Sequence, residues 1–178
     1  LAALLAMGSA QAATCPDTLA ADLQARSLGS IENPDTGHIV ELFKFPSISW
    51  DEANACVELL PTVGPVDTAK HLATITSSRE NDFIVRELLD VKKSQLDGKT
   101  QVWVGGSQAE CTPEPGCGWR WENDEGSFPG VNTDTVYANW ASITSGTTTT
   151  QVEPNNTGFA GEKHLTVGRY QDLYGWND

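Results

Sequence analysis

Basic side chains are scarce in this chain. Over 178 residues, 11 Lys and Arg stand against 24 Asp and Glu, a formal net charge of -13. A surface of that sign repels phosphate backbones, which argues against a nucleic-acid partner. It suits divalent cations, neutral ligands or solubility. No run of apolar residues is long enough to span a bilayer. Cysteine is limited to Cys15, Cys56, Cys111 and Cys117, and histidine to three residues. With no CxxC spacing and no His/Cys cluster, a zinc site has no support. There is no internal repeat, no phosphate-cradling glycine loop and no Ser/His/Asp arrangement, so the usual nucleophilic and nucleotide chemistries lack their residues.

Hydrophobic residues make up 39% and charged residues 20%. That supplies a core for one domain and argues against global disorder. The chain starts "LAALLAMGSAQAATCPDT", where Ala10-Gln11-Ala12 makes an A-x-A cleavage pattern after a small apolar run. Residues 1–12 read as the residual tail of a signal peptide, which places the protein outside the cell or in the periplasm. Export permits disulfides. Cys111 and Cys117 bracket "TPEPG", a turn sequence, and are the expected local bridge. Cys15 and Cys56 either pair or have separate fates.

Residues 13–36 read as an irregular N-terminal segment ending in the turn signal "NPDTG". "HIVELFKF" (His38 to Phe45) has strand composition. Ser49 and Glu52 form a capping-box pattern. The Trp50, Ala53, Val57 and Leu60 behind them fall on one helical face that Pro61 stops. "HLATIT" (His71 to Thr76) looks strand-like. Ser77 and Glu80 form a second capping pattern before a helix with Ile84, Val85, Leu88 and Leu89 on one face. "QVWVGG" reads as a buried strand. From Gly105 to about Asp172 the chain is rich in Gly, Thr, Asn, Pro and Trp, and "SGTTTT" (Ser145 to Thr150) is low in complexity and exposed. "KHLTVGRY" (Lys163 to Tyr170) returns to strand pattern, and a further strand follows at Tyr174 to Asp178. Early helices and later strands around a long irregular region make an α+β layout.

The irregular region contains "QVEPNNTGFAGEKHL", Gln151 to Leu165. Glu153, Asn155 and Glu162, with Asn177 and Asp178 of the returning strand, supply three carboxylates and two amide carbonyls. Hard cations such as calcium take six to eight oxygens of this mixed kind, whereas transition metals prefer His or Cys.

The ordered pieces "SWDEANACVELL", "HLATITSSRENDFI", "VWVGG", "YANW", "EPN" and "WND" together resemble a C-type lectin-like domain. Members of bacterial type, with sparse cysteines and a "GHxxE" sequence before the first helix, are the most similar. The resemblance covers 37–178 and implies the C-type lectin fold, with two helices flanking antiparallel sheets and a long calcium-binding loop region. It implies one principal Ca2+ site, with Glu153, Asn155, Glu162, Asn177 and Asp178 as metal ligands. Sugar hydroxyls would meet Glu153, Asn155, Glu162 and Asn177. It also implies a cis bond before Pro154, and core or anchoring roles for Trp50, Trp103, Trp140 and Trp176. Lys163 stands where members with an auxiliary ion are often acidic.

The usual first-helix Cys falls at Val57, one residue after Cys56, and the usual Cys after the loop is His164, expected to pack rather than to ligate. The family's final strand, beyond "WND", is missing, so the chain reads as truncated at both ends. "NNT" (Asn155 to Thr157) also matches a glycosylation sequon, but a glycan there would block the site.

"EPN" in this family accompanies mannose-type sugars, so the resemblance implies a secreted lectin for mannose, N-acetylglucosamine or fucose. Oligomerisation would supply avidity. The alternative function is recognition of a protein, ice or mineral surface by the same loops. An enzyme is not expected, because a carboxylate held ionised on calcium makes a poor general acid.

Overall fold

A computed structural model describes residues 13–60, 70–96, 101–157, 162–170 and 173–178. Residues 1–12, expected to be a leader, lie outside the described residues, as does Pro61. Helices α1 (Asp17–Ala20), α2 (Trp50–Val57) and α3 (Ser78–Ile84) come early, and α3 runs on through a π turn at Val85–Leu89. The described residues include eight strands, in keeping with the α+β expectation: β1 (Ser27–Glu32), β2 (Ile39–Phe43), β3 (Gln101–Gln108), β4 (Trp119–Trp121), β5 (Ser142–Ser145), β6 (Thr148–Gln151), β7 (His164–Tyr170) and β8 (Leu173–Asn177). All pair antiparallel, as β1-β2, β4-β3-β7-β8 and β5-β6. Among the described residues no helix is long and apolar enough to cross a membrane.

Local chemistry explains the helix starts. Ser49 accepts from the Glu52 N–H, and the Glu52 carboxylate accepts from the Ser49 N–H, a complete capping box. These bonds hold the Glu52 carboxyl below the usual range, the Ser49 N–H contributing most. Ser77 caps α3 in the same way, but the Glu80 carboxylate turns to the Thr76 N–H instead, so this second box is half made. Ile84, Leu88 and Leu89 are buried along one face, and Val85 packs beside them.

Two expectations need correction, and a third, the exposure of "SGTTTT", holds with added detail. Residues 13–36 are not irregular throughout, because Ser27–Glu32 pairs with β2. Leu19 and Leu23 of the same segment pack with Cys56, which is bonded to Cys15. That bond also explains why Cys56, and not Val57, is the buried residue at the end of α2. His71–Thr76 forms no strand: the segment lies along β3 and accepts a bond from the Gly105 N–H at the Ala73 carbonyl, 2.9 Å. "SGTTTT" is exposed as expected, and it forms the turn and second strand of the β5–β6 hairpin, with Thr144 opposite Thr149.

An aromatic core underlies the later half of the chain. The Trp176 ring is fully buried and meets Trp121, Phe128, Tyr137 and Trp140 edge to face, with centroids 5.3 to 5.9 Å apart. Trp50 and Trp140 are also buried, and Trp103 partly so. Their indole N–H groups donate to the carbonyls of Val104, Pro129 and Ile48 respectively. The Trp176 backbone completes the arrangement: its N–H donates to the Asn139 carbonyl at 2.7 Å, and its carbonyl accepts from the Ala141 N–H at 2.9 Å. β8 and residues 139–141 approach so closely that a Cβ on Gly175 would lie 2.6 Å from the Ala141 Cα. Gly175→Ala is therefore expected to destabilise the protein by about 1–3 kcal/mol through overpacking. Urea denaturation reads this directly, and wild-type stability would contradict the close seam.

Candidate functional site

The seam that holds Trp176 also fixes the start of the acidic loop. The Ala141 carbonyl accepts from the N–H groups of both Val152 (2.9 Å) and Glu153 (3.3 Å). Glu153 thus enters the loop immediately beyond β6, with its side chain buried at 5% exposure. The Glu153–Pro154 peptide is cis. Gln151 braces this corner from the side. Its Nε2 donates to the Glu153 carbonyl (2.5 Å) and the Gly130 carbonyl (3.0 Å), and its Oε1 accepts from the Asn132 N–H (2.8 Å).

Asp178, just past β8, closes the loop from the other side. One carboxylate oxygen accepts from the Asn155 N–H at 2.9 Å and the other from the Asn156 N–H at 2.8 Å. Asp178 is 7% exposed, so these charge-assisted bonds compensate a desolvated carboxylate. Asn156 sits in the left-handed region at φ 53°, which a short amide side chain tolerates better than most. Its Oδ1 accepts from the Glu162 N–H at 2.7 Å. Asn155 Oδ1 and the Glu162 carboxylate both accept from the Thr157 N–H, each at 3.0 Å. Asn177, half-buried at the end of β8, pairs with Thr166 of β7.

The structure therefore brings Asn155, Glu162 and Asp178 into one hydrogen-bonded unit, with Glu153 and Asn177 adjoining it in the chain. Among the described residues no three His, Cys, Asp or Glu side chains gather around a common centre. The donors fit a hard cation in kind, since all are carboxylate or amide oxygens. Those that accept a backbone N–H keep further lone pairs.

His164 stands apart from this set. Its ring stacks on Trp50 with centroids 4.4 Å apart and planes 13° apart. Burial pushes its pKa down, against the opposing pull of Asp51 and Glu122. Cys111 is bonded to Cys117. Glu114, inside that disulfide loop, accepts from Lys163 Nζ at 2.7 Å and from Asn156 Nδ2 at 3.3 Å. The Lys163 hydrogen bond holds its carboxyl below the usual range, against the opposing effect of burial.

Sequence reasoning passed over Gln151, Glu114 and the side chain of Asn156. Each acts through a backbone group or a partner distant in the chain, so no local spacing marks it. No family model, curated protein or solved structure matches this chain.

The Asp178 bonds generate a test independent of any ligand. In the presence of a chelator, Asp178→Ala should lower stability by about 1–3 kcal/mol, because two amides lose their acceptor. An unchanged urea midpoint would show that the loop does not depend on this carboxylate.

Proposed function

We propose that this chain is a C-type lectin-like domain, a binding module rather than an enzyme, that takes carbohydrate through calcium held by Glu153, Asn155, Glu162, Asn177 and Asp178. One observation carries the reading. The Asp178 carboxylate accepts the N–H groups of Asn155 and Asn156, which lie 23 and 22 residues earlier in the chain. "EPN" and "WND", two of the pieces that carry the resemblance, are thus joined by hydrogen bonds. Two disulfides and the lack of a spanning helix among the described residues are compatible with a secreted protein.

The recognition chemistry follows from the donor set. Calcium, when bound, would offer coordination positions to two neighbouring sugar hydroxyls. A hydroxyl has a proton to donate and lone pairs to accept with. A carboxylate such as Glu153 accepts from it, and an amide such as Asn155 donates to it. A vicinal hydroxyl pair is then gripped by ion and protein together. By its resemblance to family members that carry "EPN", the chain would prefer neighbouring equatorial hydroxyls, as in mannose, N-acetylglucosamine and fucose-type sugars. One small, wet ligand gives weak affinity, and several copies raise it by avidity.

The protein should be retained on immobilised mannose with calcium and released by a chelator, and flow-through in calcium would contradict the proposal. Calcium uptake without competition by any monosaccharide would favour a protein, ice or mineral surface as the partner. Asp178→Ala should abolish calcium and mannose binding together; retained sugar affinity would sink the site. Glu153→Gln combined with Asn155→Asp reverses the carboxylate and amide positions. This double variant should shift preference towards galactose while keeping the ion. An unchanged mannose preference would show that selectivity lies elsewhere.

A further inference from the structure

We infer that Glu114, carried on the Cys111–Cys117 disulfide loop, is a positioning residue that orients Asn156 and Glu162 for the proposed calcium site. The inference rests on the calcium reading and extends it to a loop that the donor set leaves out.

The loop around Glu114 is held on several sides. The Cys111–Cys117 bond closes it. Gln108 Nε2 donates to the carbonyls of Pro115 (3.1 Å) and Cys117 (2.9 Å), and Trp119 Nε1 donates to that of Pro115 (2.8 Å). Gln108 and Trp119 are both buried on the central sheet. On its outer side, Gly116 packs so tightly on Gly130 that a Cβ at 130 would lie 2.6 Å from the Gly116 Cα. Glu114 therefore projects from a fixed platform.

From that platform its two oxygens reach the acidic loop. One takes Asn156 Nδ2 and the other takes Lys163 Nζ. The Asn156 amide is then determined in orientation. Its NH2 must face the Glu114 acceptor, so its oxygen faces the Glu162 N–H at 2.7 Å. The same residue's backbone N–H is bound to Asp178. Glu114 thus acts, through one side chain, on two proposed ligands from different parts of the chain. Its ion pair with Lys163 also holds the residue next to Glu162. Hydrogen-bonding partners behind metal ligands commonly change metal affinity by about tenfold or more when they are removed.

The test compares wild type, Glu114→Ala and Glu114→Gln by calcium calorimetry and, in chelator, by amide hydrogen exchange at Glu162. Glu114→Ala should weaken calcium binding by about tenfold and speed Glu162 exchange. Its urea midpoint should change little, since the Glu114–Lys163 pair is part-exposed. Glu114→Gln keeps an acceptor for Asn156 and should recover most of the affinity. Wild-type affinity and exchange in Glu114→Ala would overturn the inference. So would equal weakness of the Gln and Ala variants, because charge alone would then explain the effect. If wild type takes up no calcium, the calcium reading fails, and unchanged Glu162 exchange in Glu114→Ala would then remove the positioning role as well.

Discussion

The arrangement depends on the way Trp176 is held. Its indole is buried edge-on among Trp121, Phe128, Tyr137 and Trp140, and its backbone is bonded on both sides to residues 139–141. The aromatic burial supplies the favourable term, and the backbone bonds supply the direction. Everything in the candidate site is placed relative to this seam. Asn177 and Asp178 follow Trp176 directly in the chain. Glu153 is placed by the Ala141 carbonyl, whose own N–H is bound to Trp176. A loop of polar residues with no period of its own is thus oriented by a core it does not belong to.

The acidic loop then closes on itself by hydrogen bonds rather than by apolar packing. The Asp178 carboxylate is nearly buried, which would be costly for a lone charge. Two backbone amides offset that cost and in doing so join distant stretches of sequence. Glu162 is joined by Asn156, and Asn156 is held by Glu114. The disulfide loop and the candidate site are therefore neighbours in space, although each reads as an isolated irregular stretch in sequence.

How much of this is legible in the sequence depends on the range of the interaction. The α2 and α3 caps at Ser49 and Ser77 could be read because their partners are three residues away. So could the Cys111–Cys117 pair, and β3 and β7 by composition. The β1 strand was missed because "SLGSIE" contains a glycine and has weak alternation; its pairing with β2 defines it. The error at His71–Thr76 was the converse, strand-like residues that lack a partner along their length. In the candidate site, the oxygen donors were visible by type. Gln151 and Glu114 were not, because their roles rest on contacts with backbone groups and residues up to 49 positions away. The Asn156 side chain was missed for a similar reason, since its importance lies in the orientation of its amide and not in its identity.

A calcium site on the Asp178 unit that serves sugar recognition must respond to both ligands. The most direct measurement is a calcium titration of the intact chain followed by the backbone amide resonances of Asn155 and Asn156, with mannose added at saturation. Both amides should shift saturably with calcium, and mannose should perturb the loop only once calcium is present. Amides that do not move with calcium at millimolar concentration, or a mannose response that is the same in chelator, would contradict it.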